Sequence, residues 1–174
     1  MALVKWSRDG YGMLERNRVQ THNVESQCLL NATDFPNGAE VGSIVAVDKV
    51  NSAVTLSTGE VYGLLANAEV LYNPMAMGLK NYHVEPNKAC SVLFLEKGNT
   101  FTTNTLVYDN AAFANEAAVV SAIANASVYG GQDSSTGQIA LLSSAPASGL
   151  ALQAVKATTM PDGQKAVKFI VIAH

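Results

Sequence analysis

The sequence predicts a mainly β fold with one helix, of the α+β class. The expected plan is a small β-barrel or sandwich, a C-terminal helix-and-hairpin part, and an extended N-terminal arm. Three observations carry this. Short runs rich in Val, Thr and Tyr recur between Val24 and Tyr108 at roughly 8–15 residue spacing, with Gly, Asn and Pro between them. The apolar period lengthens once, in the Ala-rich stretch 111–128. Strand-like runs then return, ending in the nearly continuous apolar series Val167-Lys168-Phe169-Ile170-Val171-Ile172.

Taken in order, residues 1–22 form the arm. Lys5, Arg8, Arg16 and Arg18 outnumber Asp9 and Glu15, and the segment holds the only tryptophan, Trp6. Its apolar residues keep neither a helical nor an alternating period. Two descriptions fit: an arm that packs on a partner, or an ordinary first strand and loop. Under the first, Leu3, Val4, Trp6 and Leu14 supply apolar contacts, while Arg8, Arg16 and Arg18 supply guanidinium forks, since Arg and Trp are enriched at interfaces. Removing residues 1–20 is then expected to weaken partner binding and leave the fold intact.

Residues 23–110 are expected to form a β-rich domain. The run 43–48 leads through a turn at Asn51-Ser52 to 53–57, and Thr58-Gly59 marks a turn before 61–65. Further strand candidates are 69–72, 89–96 and 100–108, the last two joined by Lys97-Gly98-Asn99. Residues 72–83 read as a long excursion with one helical turn.

Residues 111–174 hold the helix and further strands, with the option of sharing a core with the preceding part. Phe113, Ala117, Val120 and Ala124 lie at helical spacing, with Val119 and Ile123 widening the stripe. Asp109 or Asn110 is expected to cap the start and Gly130-Gly131 to end it. Strands follow at 138–143, 150–158 and 165–173, the last two joined by Thr159-Met160-Pro161-Asp162-Gly163, where Pro fixes φ and Gly supplies positive φ.

Charge is scarce. Asp, Glu, Lys and Arg make up 14% of the 174 residues, against about a quarter in an ordinary soluble domain. Between 111 and 174 the charged side chains are Glu116, Asp133, Lys156, Asp162, Lys165 and Lys168. So neutral a region is expected to be covered, most simply by another copy of the chain. A net charge of −3 argues against a nucleic-acid binder. No apolar run reaches the length of a membrane-spanning helix, and residues 1–9 lack the apolar core of a signal peptide. Cys28 and Cys90 fit free thiols in a reducing compartment, with pairing left open.

Catalytic, cofactor and metal residues are not indicated. His22, His83 and His174 have no partner at metal-ligand spacing. Cys90 sits in the apolar run Ala89-Cys90-Ser91-Val92-Leu93, where a thiol acts as a small hydrophobe, and a Cys90–His83 nucleophile pair has no motif behind it. Gly130-Gly131-Gln132-Asp133 lacks the lysine of a phosphate loop. Asp48, Asp109 and Asp133 lack the spacing of a calcium loop. The chain is therefore not expected to be an enzyme.

The segment Lys97-Gly98-Asn99-Thr100-Phe101-Thr102-Thr103-Asn104 resembles the glycine turn and Thr-rich strand of tailed-phage virion proteins. Gln138-Ile139-Ala140-Leu141, Leu152-Gln153-Ala154-Val155 and Gly163-Gln164-Lys165-Ala166-Val167-Lys168-Phe169 are similar in style. Over residues 90–174 the chain resembles small auxiliary head proteins: capsid decoration or cement proteins, including head-fibre bases. The resemblance implies a structural virion protein, made in the host cytoplasm, that docks on the outer capsid surface. Its partner would be the major capsid protein, with a homotrimer as the expected oligomer. Two other classes compete: a carbohydrate-binding or host-attachment module with grouped aromatics, and a small enzyme or enzyme subunit using Cys90 or a carboxylate pair.

Overall fold

The computed structural model describes residues 2–19, 24–56, 61–68 and 81–173. These form two β-sheets and one helix, so the chain is mainly β. In chain order the strands are β1 (Leu3–Lys5), β2 (Leu14–Arg18), β3 (Val24–Glu25), β4 (Leu29–Leu30), β5 (Ile44–Asp48), β6 (Ala53–Thr55), β7 (Val61–Leu65), β8 (Val92–Phe94), β9 (Thr100–Thr103) and β10 (Leu106–Asp109). Then come α1 (Glu116–Ala124), β11 (Tyr129–Gln132), β12 (Ile139–Leu142), β13 (Ala151–Thr159) and β14 (Lys165–Ala173).

The larger sheet has eight strands in the order β1-β10-β12-β11-β13-β14-β9-β2, and the smaller has six in the order β3-β8-β7-β5-β6-β4. Pairing is antiparallel except for β10 with β12 and β4 with β6. Strands from all three segments read from the sequence share the larger sheet. One core cluster likewise joins Trp6, Ile44 and Leu64 to Leu152, Phe169 and Val171. A second cluster packs the opposite face of the smaller sheet, where Val45, Val47 and Leu65 meet Leu30, Phe35 and Val84.

Local chemistry explains the hairpins. Between β5 and β6, the Asp48 carboxylate accepts from the Val50 and Asn51 amides at 2.9 and 3.0 Å, and Ser52 takes φ 51°. Between β13 and β14, Gly163 at φ 88° donates to the Met160 carbonyl at 2.9 Å. The Lys97-Gly98-Asn99 turn also forms, with Gly98 at φ 91°, but it carries the chain from the smaller sheet to the larger instead of closing a hairpin.

The helix is shorter than its Ala-rich stretch. Asn115 caps it, its side chain accepting from the Ala118 amide at 3.0 Å, in place of Asp109 or Asn110. Asp109 instead caps a preceding turn, its carboxylate accepting from the Ala111 amide at 3.0 Å. Ala126 at φ 53° ends the helix, the amides of Ala126 and Ser127 bonding back to the carbonyls of Ile123 and Ala122. Gly130 and Gly131 therefore do not stop the helix; they lie within β11, where a Cβ on Gly130 would press on Ile139 at 3.0 Å and Leu152 at 3.1 Å. The buried helix face is Val119 and Ile123, whereas Ala117, Val120 and Ala124 point outward.

The expected strand over 100–108 is two strands on opposite sides of the same sheet. Asn104 and Thr105 break it although both are fully buried. The Asn104 amide accepts from the Met13 amide at 2.7 Å and donates to the Tyr11 carbonyl at 3.2 Å, while the Thr105 hydroxyl donates to the Val41 carbonyl at 2.5 Å. Satisfied in this way, polar groups can sit in a core at little net cost. The strand expected at 69–72, the turn at Thr58-Gly59 and the helical turn expected within 72–83 lie wholly or mostly outside the described residues.

Part of the charge-poor region beyond residue 111 is covered within the chain. Strands β11–β14 occupy the sheet interior between β10 and β9, and Ile139, Leu141, Leu152, Val167, Phe169 and Val171 are all buried. Exposed and neutral surface remains on the outer face of α1, with Ala117, Val120, Ser121 and Ala124, and on β13 at Val155.

Candidate binding surfaces: the sheet edges and a polar cleft

The N-terminal segment is built into the body. Its strands β1 and β2 are the two edges of the larger sheet, antiparallel to β10 and β9 respectively. Buried threonines hold this segment: Thr103 donates to the Met13 carbonyl in the linking loop at 2.7 Å, and Thr102 donates to the Asn17 side chain on β2 at 2.6 Å. Gly12 runs so close to the core that an added Cβ would lie 2.6 Å from the Val41 carbonyl.

This placement divides the seven residues proposed from sequence for partner binding. Trp6 is 1% exposed, and its indole Nε1 donates to the Lys165 carbonyl at 3.3 Å. It belongs to this chain's own core, which corrects its assignment to a partner: a ring already buried in one cluster with Ile44, Leu64 and Phe169 has no surface left to offer one. Leu14 packs partly buried against the same core. The Arg8 side chain is 3% exposed and pairs with Glu40, so its charge is spent internally. Leu3 is half-buried on β1, Val4 is 36% exposed beside it, and Arg16 and Arg18 are exposed on β2.

Behind Arg8 lies a cleft of about 390 Å³, formed where four loops converge: 8–11, 34–40, 81–83 and 135–138. Loops carried by a rigid scaffold are the usual place for binding residues. Glu40 is its electrostatic centre. It meets Arg8, lies 3.7 Å from Lys5 Nζ, and accepts from Gln138 Nε2 at 2.9 Å. The Arg8 Nε and Nη1 groups are buried without a hydrogen-bond partner among the described residues. On the far wall Tyr11 meets Tyr82 edge to face, with centroids 6.0 Å apart, and the Tyr82 hydroxyl donates to the Ala68 carbonyl at 2.6 Å. Asn37, Asn81 and His83 complete the polar lining. These residues come from stretches far apart in sequence. The signals that point to them are the glycines at 10, 12 and 38 and the polar Asn104 interrupting a strand.

The thiols lie elsewhere. Burial pushes the Cys90 thiol up to about 12, and its Sγ donates to the Lys88 carbonyl at 3.7 Å, so among the described residues no base is seen to activate it. His83 Nδ1 lies 3.0 Å from the Asn81 carbonyl. The Cys90–His83 pair is therefore not assembled. His22 and His174 lie outside the described residues. Among the described residues no group of three His, Cys, Asp or Glu side chains could hold a metal ion, and no helix is long and apolar enough to cross a membrane. Comparison with family models, with curated proteins and with solved structures finds no match to this chain.

Proposed function

We propose that the chain is a structural virion protein that docks on the outer surface of a phage capsid and reinforces or decorates it through symmetric contacts. Its partners are the major capsid protein and further copies of itself, in a trimer; it is made in the host cytoplasm and resides on the capsid surface. The observation that carries this reading is the position of the N-terminal strands. β1 and β2 leave both edges of the larger sheet open among the described residues, one bearing Leu3 and Val4, the other Arg16 and Arg18. An open edge has unpaired backbone donors and acceptors and accepts an added strand from another chain. The neutral outer face of α1 adds a surface whose burial carries no charge-desolvation penalty. Symmetric repetition turns such modest contacts into strong retention.

The test is co-sedimentation of the intact protein with expanded shells of the major capsid protein of the same virus, alongside its native mass. The expected mass is three times 18.3 kDa. The double substitution Arg16→Glu and Arg18→Glu should lower shell occupancy and its salt dependence while the fold is kept, because both side chains are exposed. A monomer whose shell occupancy is nil, or is unaffected by this charge reversal, refutes the reading.

One observation favours a second reading, a carbohydrate-binding module: the cleft brings Tyr11 and Tyr82 together beside Asn37, Asn81 and Gln138. Planar amides and an aromatic ring are the groups that grip a sugar's hydroxyls and apolar face. A glycan array probed with the wild type and Tyr11→Ala separates the two. Absence of any glycan signal removes the second reading.

A further inference from the structure

Cys28 and Cys90 are far apart in sequence and end up facing each other. The Cys90 amide donates to the Cys28 carbonyl at 2.9 Å, the Leu30 amide donates to the Lys88 carbonyl at 2.9 Å, and Leu29 and Ala89 form an antiparallel bridge between them. This ladder sets Cys28 directly opposite Cys90. Burial agrees with it: Leu29 and Ala89 both point outward, while Cys28 and Cys90 are 4% and 1% exposed and join the same core cluster. Residues opposite one another on antiparallel segments share a face, with Cα atoms about 4.5–5.5 Å apart. That spacing lies inside the window of about 4.4–6.8 Å that a disulfide spans. The pair lies at the end of β4, which bonds β6 on one side and residues 87–90 on the other.

We propose that Cys28 and Cys90 are a cross-strand thiol pair that closes to an intramolecular disulfide when a low-molecular-weight disulfide such as oxidised glutathione is supplied. One cysteine thiolate attacks the oxidant, forming a mixed disulfide and releasing one glutathione thiolate. The other cysteine thiolate displaces the second glutathione, forming the S–S bond. The protein loses two electrons and two protons, and the oxidant leaves as two thiols. The bond ties the segment before β4 to the one entering β8, and so fastens the rim of the smaller sheet. The inference does not depend on the capsid reading.

Burial also sets the kinetics. Both thiols are raised by desolvation, Cys90 to about 12, so little thiolate exists in the closed state. Exchange therefore waits on local opening around the pair or takes place during folding.

The experiment uses the full chain, reduced and unfolded, then refolded in buffer containing oxidised glutathione, so that access is not limiting. Intact mass and a non-reducing peptide map are read, with thermal unfolding before and after dithiothreitol. The expected product is a monomer lighter by two hydrogens, with one linked Cys28–Cys90 peptide and no thiol open to maleimide. Its unfolding temperature should be raised, and the rise lost on reduction. Native protein should give the same product more slowly, and faster in mild denaturant. Cys28→Ser should refold with no oxidation-dependent shift. Two glutathione adducts per chain, disulfide-linked dimers, or two free thiols after oxidative refolding would each overturn the proposal.

Discussion

Replacing Trp6 by alanine separates an arm from a structural strand. An aromatic side chain of this size buries about 150–250 Å², and Trp6 is 1% exposed, so nearly all of it is removed from water on folding. At about 25 cal/mol per Å² this amounts to about 4–6 kcal/mol. Residual burial in the unfolded chain lowers it by about 10–40%, leaving about 3–5 kcal/mol, the range found for large-to-small aromatic truncations. Loss of the 3.3 Å bond to the Lys165 carbonyl adds little, being long. Against a total stability of about 5–15 kcal/mol, the variant should unfold about 10 °C lower, at about 2–4 °C per kcal/mol for a chain of this size. Urea unfolding followed by far-ultraviolet circular dichroism measures it, because the substitution removes the chain's only tryptophan fluorophore. A loss under about 1 kcal/mol at unchanged denaturant slope is what a surface position gives; it would falsify the placement of Trp6 in the core. For the same reason deleting residues 1–20 removes two sheet strands and a core side chain, so it is expected to unfold the protein rather than leave the fold intact for a binding assay.

Ala126 holds a left-handed φ of 53° at the helix end and is exposed. Ala126→Gly should therefore raise stability by about 0.5–1 kcal/mol despite the freer unfolded chain, a gain that differential urea melts resolve; a loss would mean that the left-handed turn is not populated. The Asp48 carboxyl is held below its usual 3.8 first by the Asn51 side chain and then by turn amides. A depressed folded value means stabilisation that is present above 3.8 and lost as pH falls through the lower, folded value. Asp48→Asn, which imitates the protonated form, should be less stable than wild type at neutral pH and indistinguishable from it in strong acid. A gap that persists in acid would assign the effect to something other than the charge.

Hairpin turns were legible because their chemistry is local. Pro161 and Gly163 fix the β13–β14 turn, and Asn51-Ser52 the β5–β6 turn, whatever the rest of the chain does. The helix was found but its limits were not, since Ala-rich flanks extend the pattern beyond Asn115, and Gly130 mimics a stop signal while serving as a place where three side chains converge. The cleft was not assembled by the sequence: its residues come from β1 and four loops between positions 5 and 138, and no spacing rule connects Arg8 to Glu40 or Tyr11 to Tyr82. The one aromatic grouping a sugar-binding module would need exists only after folding.

By itself, then, the amino-acid sequence determined the mainly β class, the two hairpins, the single helical stretch and the neutrality of the last third. An alternating or apolar run states that a segment is a strand and which face is greasy; it does not name the neighbour. Strand neighbours are chosen by long-range contacts whose loop-closure cost depends only weakly on separation. Tertiary structure alone therefore decided that β1 and β2 flank the larger sheet, that Trp6 lies within the chain's own core, and that Cys28 faces Cys90. It also decided that one face of the charge-poor strands β11–β14 is buried in their own chain's core while Val155 and Lys156 stay exposed, because successive side chains on a strand point to opposite faces.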